Sequence, residues 1–217
     1  MKERYDYGYN SRIRVSKVLS ELNTLTSFIE EMKAYDVTLY MHSYRVAVVS
    51  AAFAKYLGYS KKFRIKLITS ALLHDIGKVF IPKEILNKSG ELSTVEFQLI
   101  KTHVASGYAY IKETLPKVPE IVTDAILYHH ENWNGSGYIF NLAGAHIPLA
   151  AQLLRIVDSF DAIVSRRVYK GEVSVESARL MLVKDLSAYN PTYLRLFIQF
   201  LDATKNDTLW ELYLKSK

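Results

Sequence analysis

The sequence predicts an all-α fold, and three observations carry that prediction. Apolar residues recur at i, i+3, i+4 and i+7 along most of the chain, the spacing of helices with one buried face. Glycine and proline fall between those stretches, and no run alternates apolar and polar residues as a half-buried strand would. With 217 residues, 49% of them hydrophobic and 23% charged, the chain suits one compact domain with a short helical attachment. Cysteine is absent, which excludes disulfides and thiolate metal sites.

Residues 1–33 read as one helix through Ile13, Val15, Val18, Leu22, Leu25, Phe28 and Ile29. This is an N-terminal helical extension ahead of a domain over 34–217, suited to contacting a partner or forming a homodimer. From His42 to Leu57 the apolar positions are Val46, Val49, Phe53, Ala54 and Leu57, and Gly58 ends the helix as a C′ glycine. Phe63 to Leu73 repeats the pattern and runs into His74-Asp75. Gly77, Pro82 and Gly90 punctuate the next stretch, a loop with a short helix around Lys83–Leu86. Ser93 and Glu96 form a capping-box pair, opening a helix that carries Phe97, Ile100, Val104 and Tyr108 inward, with His103 within it. Pro119 opens another, through Ile121, Ala125 and Tyr128 to His129 and His130. Asn132 to Pro148 is aperiodic and glycine-rich, a long loop of the kind that usually carries function. A helix from Leu149 to about Val164 bears Asp158, Ser174 caps one from Val175 to about Val183, and Pro191 opens a last pair ending near Leu214.

A net charge of +6 favours anionic ligands. The cations are scattered and form no stripe, so nucleic acid is not the expected partner. No run of about 18 apolar residues exists, so no membrane-spanning helix is expected. The first residues lack the apolar core of a signal peptide, and the expected location is cytoplasmic.

The chemistry concentrates in histidine and aspartate. Of six histidines, His129 and His130 are adjacent and His74 precedes Asp75. His42, His74, His129 and His130 each sit at an end of an apolar stretch. Converging helix ends can gather distant residues into one metal site. Imidazole and carboxylate suit Fe, Mn, Zn and similar ions. Asp75 can bridge two cations with its two oxygens; two metals roughly 3.5–4 Å apart hold a hydroxide and clamp a phosphate for in-line attack. Taken singly, each histidine is more simply a hydrogen-bonded core residue, and His146 keeps that reading. The joint pattern is what resists it.

The chain resembles the HD superfamily of metal-dependent phosphohydrolases, specifically its HD-GYP branch. The resemblance rests on DVTLYMHSYRV (36–46), ALLHDIGK (71–78), IPKEILNKSGEL (81–92) and IKTHVASG (100–107). It continues through HHENWNGSGYIFNLAGAHIP (129–148), RIVDSFDAIVSRRVY (155–169) and Asn190-Pro191. It implies an HD-type helical bundle with a dinuclear metal site, and a bacterial signalling enzyme that hydrolyses cyclic di-GMP to pGpG and onward to GMP. On this resemblance His42, His74, Asp75 and Asp158 hold one metal and Asp75, His103, His129 and His130 the other, with Fe or Mn expected. Asp75 and a water or hydroxide bridge the two. Lys78 binds the scissile phosphate, and Tyr138, Arg167 and Lys170 contact the nucleotide. The plainer readings are a surface lysine for Lys78, a solvated charge run for Arg167 and Lys170, and a core aromatic for Tyr138.

Two departures bear on this expectation. The signature Gly-Tyr-Pro reads Gly137-Tyr138-Ile139, which frees a backbone N–H and relaxes one φ angle. Members with three metals carry a carboxylate one turn before the first histidine, where this chain has Thr38, so two metals are expected. Competing readings are a phosphohydrolase for another nucleotide such as cyclic GMP-AMP, or a catalytically weak module that binds a cyclic dinucleotide and signals.

Overall fold

The computed structural model describes residues 23–166 and 175–204. It is helical with no strand among the described residues; the one β-bridge joins Asn134 to Ala143 within the long loop. Helix α1, described over 23–35, leads into α2 (Val37–Tyr56), α3 (Lys61–Leu73) and a 3₁₀ turn (Ile76–Phe80). Then come α4 (Lys83–Leu86), α5 (Thr94–Lys101), α6 (His103–Thr114), α7 (Glu120–Tyr128), α8 (Leu149–Arg166), α9 (Val175–Lys184) and α10 (Pro191–Thr204).

Local chemistry sets these boundaries. Asp36 caps α2 by accepting from the Leu39 N–H at 2.9 Å, and Gly58 ends it at φ +75°. Ser60 caps α3, and Ser93 and Glu96 form the expected capping box on α5. Asn190 accepts from the Thr192 N–H ahead of Pro191, so α10 begins on an Asn cap with proline at its first position.

Two clusters of buried apolar side chains hold the bundle. One joins α2, α3, α8, α9 and α10 through Phe53, Leu67, Phe160, Leu182, Phe197 and Phe200. The other joins α1, the start of α2, the 3₁₀ turn, α6 and α7 through Phe28, Met32, Leu39, Ile76, Ile111 and Ile126. The expected boundary at residue 33 thus falls inside a packed helix: Phe28 and Met32 are each 1% exposed. The remainder of the expected extension, residues 1–22, lies outside the described residues, as do the Ser174 cap and the chain beyond 204. No described helix is long and apolar enough to cross a membrane.

Three expected helices change shape. The one expected from Ser93 through Tyr108 is two helices, because Thr102 separates α5 from α6 and its hydroxyl donates to the Leu99 carbonyl. As a result α5 has no buried side chain, and Phe97, expected inward, is 44% exposed. Helix α7 stops at Tyr128, before the His129-His130 pair. Helix α2 starts at Val37, which puts His42 in its second turn and not at its end.

The core around Phe53 sets much of the stability. Its ring is fully buried and meets Phe197 edge-on at 5.0 Å and Phe200 at 5.4 Å. Phe53→Ala is expected to cost about 3–5 kcal/mol. Urea unfolding would read this as a lower midpoint with an unchanged slope.

Candidate metal centre

Six elements deliver the predicted site. Helix α2 presents His42, and the end of α3 presents His74 and then Asp75, with Lys78 in the 3₁₀ turn that follows. His103 opens α6, His129 and His130 follow α7, and Asp158 lies within α8. The apolar neighbours fix where these side chains point. Leu73 and Ile76 flank His74-Asp75 in the second core, and Val157 and Phe160 turn inward while Asp158 faces the centre.

Three imidazoles are set by one repeated device. His74 Nδ1 lies 2.8 Å from the Ala71 carbonyl, His103 Nδ1 2.7 Å from Ile100, and His129 Nδ1 2.8 Å from Ile126. Carbonyls in the last turn of a helix lack an intrahelical partner, so each ring N–H satisfies one. That bond places the proton on Nδ1 and leaves Nε2 as a lone pair. For His103 the carbonyl belongs to α5, which explains the break at Thr102: His103 closes one helix and opens the next.

The Nε2 atoms surround Asp75. Its Oδ1 is 3.2 Å from His103 Nε2 and 3.8 Å from His129 Nε2. Its Oδ2 is 3.4 Å from His74 Nε2, 3.5 Å from His42 Nε2 and 2.5 Å from Lys78 Nζ. Asp158 Oδ1 lies 3.1 Å from His42 Nε2 and 3.8 Å from His74 Nε2. All seven predicted ligands therefore come together. They fall into two groups whose ligating atoms lie within 4.8 Å of one another, Asp75 with His103, His129 and His130, and His42 with His74 and Asp158.

Asp75 Oδ1 and His74 Nε2 are buried and accept no hydrogen bond. Both are lone pairs, and they face other lone pairs. Buried acceptors turned on one another are costly unless a cation lies between them. Electrostatics prepare the same state. Burial pushes His74 down to about 4, His103 below its ordinary value and His130 well below it, so these rings stay neutral. Burial opposes the charge on Asp75, yet the Lys78 ammonium holds it well below the usual carboxylate range. Asp158 is likewise low, its burial outweighed by His42. His42 is the exception: burial opposes its proton, but Asp158 and Asp161 hold it up to about 10. A bound cation would take the place of that proton. Nitrogen and oxygen donors without thiolate, largely deprotonated in advance, fit divalent cations.

Three residues matter that the sequence reading missed. Asp161, buried in α8, accepts from His42 Nδ1 at 2.8 Å and takes Arg45 in a two-pronged bond, Nε to Oδ1 at 2.8 Å and Nη2 to Oδ2 at 3.0 Å. Burial opposes its charge, but His42 and Arg45 bring it down to about 2. Their signal was two matching steps of one helical turn, His42 to Arg45 and Asp158 to Asp161, each placing both residues on one helix face. Buried Glu131 is the third. It accepts the Phe140 N–H at 2.8 Å and the Leu142 N–H at 3.0 Å, and so tethers the signature loop just beyond Ile139.

That loop returns onto the histidine pair at Gly137. A Cβ there would sit 2.3 Å from the Asn132 nitrogen and 2.5 Å from the His130 carbonyl oxygen, so only glycine fits. Tyr138 consequently stacks on His130, ring centroids 4.8 Å apart. Ile139, where the signature has proline, is exposed. A cleft of about 640 Å³ opens beside the centre, lined by Thr38, His42, Lys78, Asn87, Lys88 and Ser165. Asp36 stays out of the centre because it caps α2 and holds Asn87 at 2.9 Å. Arg167 and Lys170 lie outside the described residues.

Known proteins resemble this chain in sequence and in fold. A cyclic di-GMP phosphodiesterase of Thermotoga maritima is 34% identical over 185 residues, 84% of this chain and 48% of that protein. The cyclic di-GMP phosphodiesterase PA4108 of Pseudomonas aeruginosa is 34% identical over 184 residues, 85% of this chain and 44% of that protein. The chain thus spans just under half the length of these two relatives. Among solved structures, the HDG"Y"P protein Bd1817 of Bdellovibrio bacteriovorus superposes with a TM-score of 0.60 at 22% identity, over 76% of this chain and 52% of that one. The HD domain family model matches residues 26–192, from within α1 to the start of α10. Since that match takes in all seven converging side chains and the bundle that carries them, the chain belongs to the HD domain family.

Proposed function

We propose that this chain is an HD-GYP-type, metal-dependent phosphodiesterase that opens cyclic di-GMP to linear pGpG. The observation that carries the reading is the set of buried, proton-free Nε2 and carboxylate atoms gathered on the two oxygens of Asp75. His42, His74, Asp75 and Asp158 would hold one divalent ion, and Asp75, His103, His129 and His130 a second, with Fe or Mn expected. When bound, such ions make water nucleophilic near neutral pH and stabilise charge on a phosphoryl group. The relatives named cyclic di-GMP phosphodiesterases support that substrate, and so does the net charge of +6. A cyclic dinucleotide also suits the cytoplasmic location expected from the sequence.

The chain's own residues supply the remaining roles. Lys78 rests on Asp75 Oδ2 at the edge of the cleft. Cations on that carboxylate would release its ammonium toward a phosphate, where it offsets charge developing on the oxygens. Lys88 lines the same cleft with its ammonium paired to Glu96 Oε1 and Oε2 at 2.9 and 2.7 Å, so Lys78 is the cation proposed to meet an anionic ligand. Arg167 and Lys170 remain proposed nucleotide contacts.

Protein purified without oxygen or chelator and supplied with Fe or Mn is expected to hold about two ions per chain and to convert cyclic di-GMP to pGpG. Asp75→Ala, checked for helicity by circular dichroism, is expected to lose at least about a thousandfold in turnover, several kcal/mol of transition-state stabilisation. Running cyclic GMP-AMP in parallel tests the other nucleotide. Dinucleotide binding without turnover by the metal-loaded wild type would overturn the enzymatic reading in favour of a binding module.

A further inference from the structure

His130 is held differently from the other four histidines of the centre. His74, His103 and His129 are each anchored by a backbone carbonyl, and His42 by Asp161. The His130 ring takes no hydrogen bond among the described residues, and its aspect is set by ring contacts alone. His129 lies 4.1 Å away and tilted, His103 meets it edge-on at 5.1 Å, and Tyr138 is stacked on it at 4.8 Å with 27° between the planes.

Tyr138 is itself pinned. Lys101 Nζ lies over its ring, 5.1 Å from the centroid, and the same ammonium lies 4.7 Å from the centroid of Phe97. An imidazole stacked on a ring fills one face, so the ammonium takes the other. The order outward from the centre is imidazole, phenol, ammonium, phenyl. Cations are attracted to aromatic faces, more so where water is partly excluded, and Tyr138 is half-buried. The stack ties α5, which has no buried side chain of its own, to the signature loop.

We propose that Lys101 and Tyr138 are positioning residues for His130: the Lys101 ammonium, held between Phe97 and Tyr138, keeps the phenol on the imidazole and so orients the one ligand ring that no hydrogen bond anchors. Tyr138 then acts through His130, and both its faces are already engaged in the protein. This inference rests on His130 being a metal ligand.

The test is binding of Mn²⁺ alone, measured by equilibrium dialysis and calorimetry on the full chain without nucleotide. Lys101→Met keeps the aliphatic stem and removes the charge; it is expected to weaken one of the two Mn²⁺ sites about tenfold, the size usual for a group supporting a metal ligand. Tyr138→Leu is expected to do the same. Lys101→Arg and Tyr138→Phe, which preserve the cation and the ring, are expected to bind Mn²⁺ as wild type does. A Lys101→Met protein with unchanged Mn²⁺ binding overturns the proposal, and if only its KM for cyclic di-GMP rises, the lysine contacts substrate instead. His130→Ala separates the two levels. If that variant loses one Mn²⁺ while Lys101→Met does not, positioning alone is wrong; if it loses none, the ligand assignment falls with it.

Discussion

Asp161→Asn is expected to weaken divalent-cation binding on the His42 side of the centre by about 10–100-fold, the usual cost of losing a carboxylate behind a ligating histidine. The carboxylate now fixes the proton of His42 on Nδ1 and turns Nε2 toward Asp75 and Asp158. An asparagine keeps one acceptor where two are in use, and the guanidinium of Arg45 competes for it. A second effect accompanies the first: Arg45 loses its buried carboxylate and keeps neutral acceptors such as Ser165 Oγ, and breaking a buried ion pair in this way costs about 3–5 kcal/mol. Arg45→Met tells these apart, since it removes the cation and leaves Asp161 on His42. It is expected to lower thermal stability while retaining Mn²⁺ affinity. Calorimetric titration below the unfolding transition of every variant gives the comparison. Asp161→Asn binding like wild type would show that His42 is oriented by helix α2 alone.

Gly77→Ala is expected to damage the centre without touching a ligand. A Cβ at this position would lie 1.9 Å from the His103 carbonyl oxygen and 2.6 Å from the Gly107 nitrogen. Both are backbone atoms of α6 and cannot swing aside as a side chain would. The 3₁₀ turn would have to lift from α6, carrying Asp75 and Lys78 away from His103. Overfilling a packed contact costs about 1–3 kcal/mol, and more against backbone. Displacement of the reacting groups by about 1 Å lowers turnover roughly a hundredfold. Gly90→Ala is the control, because nothing lies within 4 Å of its Cβ position. Equal activity and equal urea midpoints for the two variants would mean that the turn can move freely.

What could be read in the sequence follows from what kind of interaction each feature uses. The bundle and the seven gathered side chains were legible because periodicity reports buried faces, and histidine and aspartate among apolar residues are conspicuous. The break at Thr102 was not legible, because α5 and α6 share one apolar rhythm and the break comes from the His103 ring reaching back to Ile100. Asp161 and Arg45 escaped notice for another reason. A charged residue on a helix reads as solvated until its partner on a distant helix is known, and these two are 116 positions apart. Glu131 lay beside the histidine pair, but its task, receiving two N–H groups from a loop, leaves no pattern along the chain. The packing of Phe28 and Met32 was not legible, because the apolar stripe of α1 looks the same whether it meets a partner or its own domain.

Because His74, His103 and His129 take their bearing from carbonyls three residues earlier, each imidazole travels with the final turn that carries it. The outer faces of those helices are therefore free to diversify without compensating changes at the centre. Such a scaffold tolerates extensive drift, and selection for new substrates can act on the cleft while the donors inherit their aim unchanged.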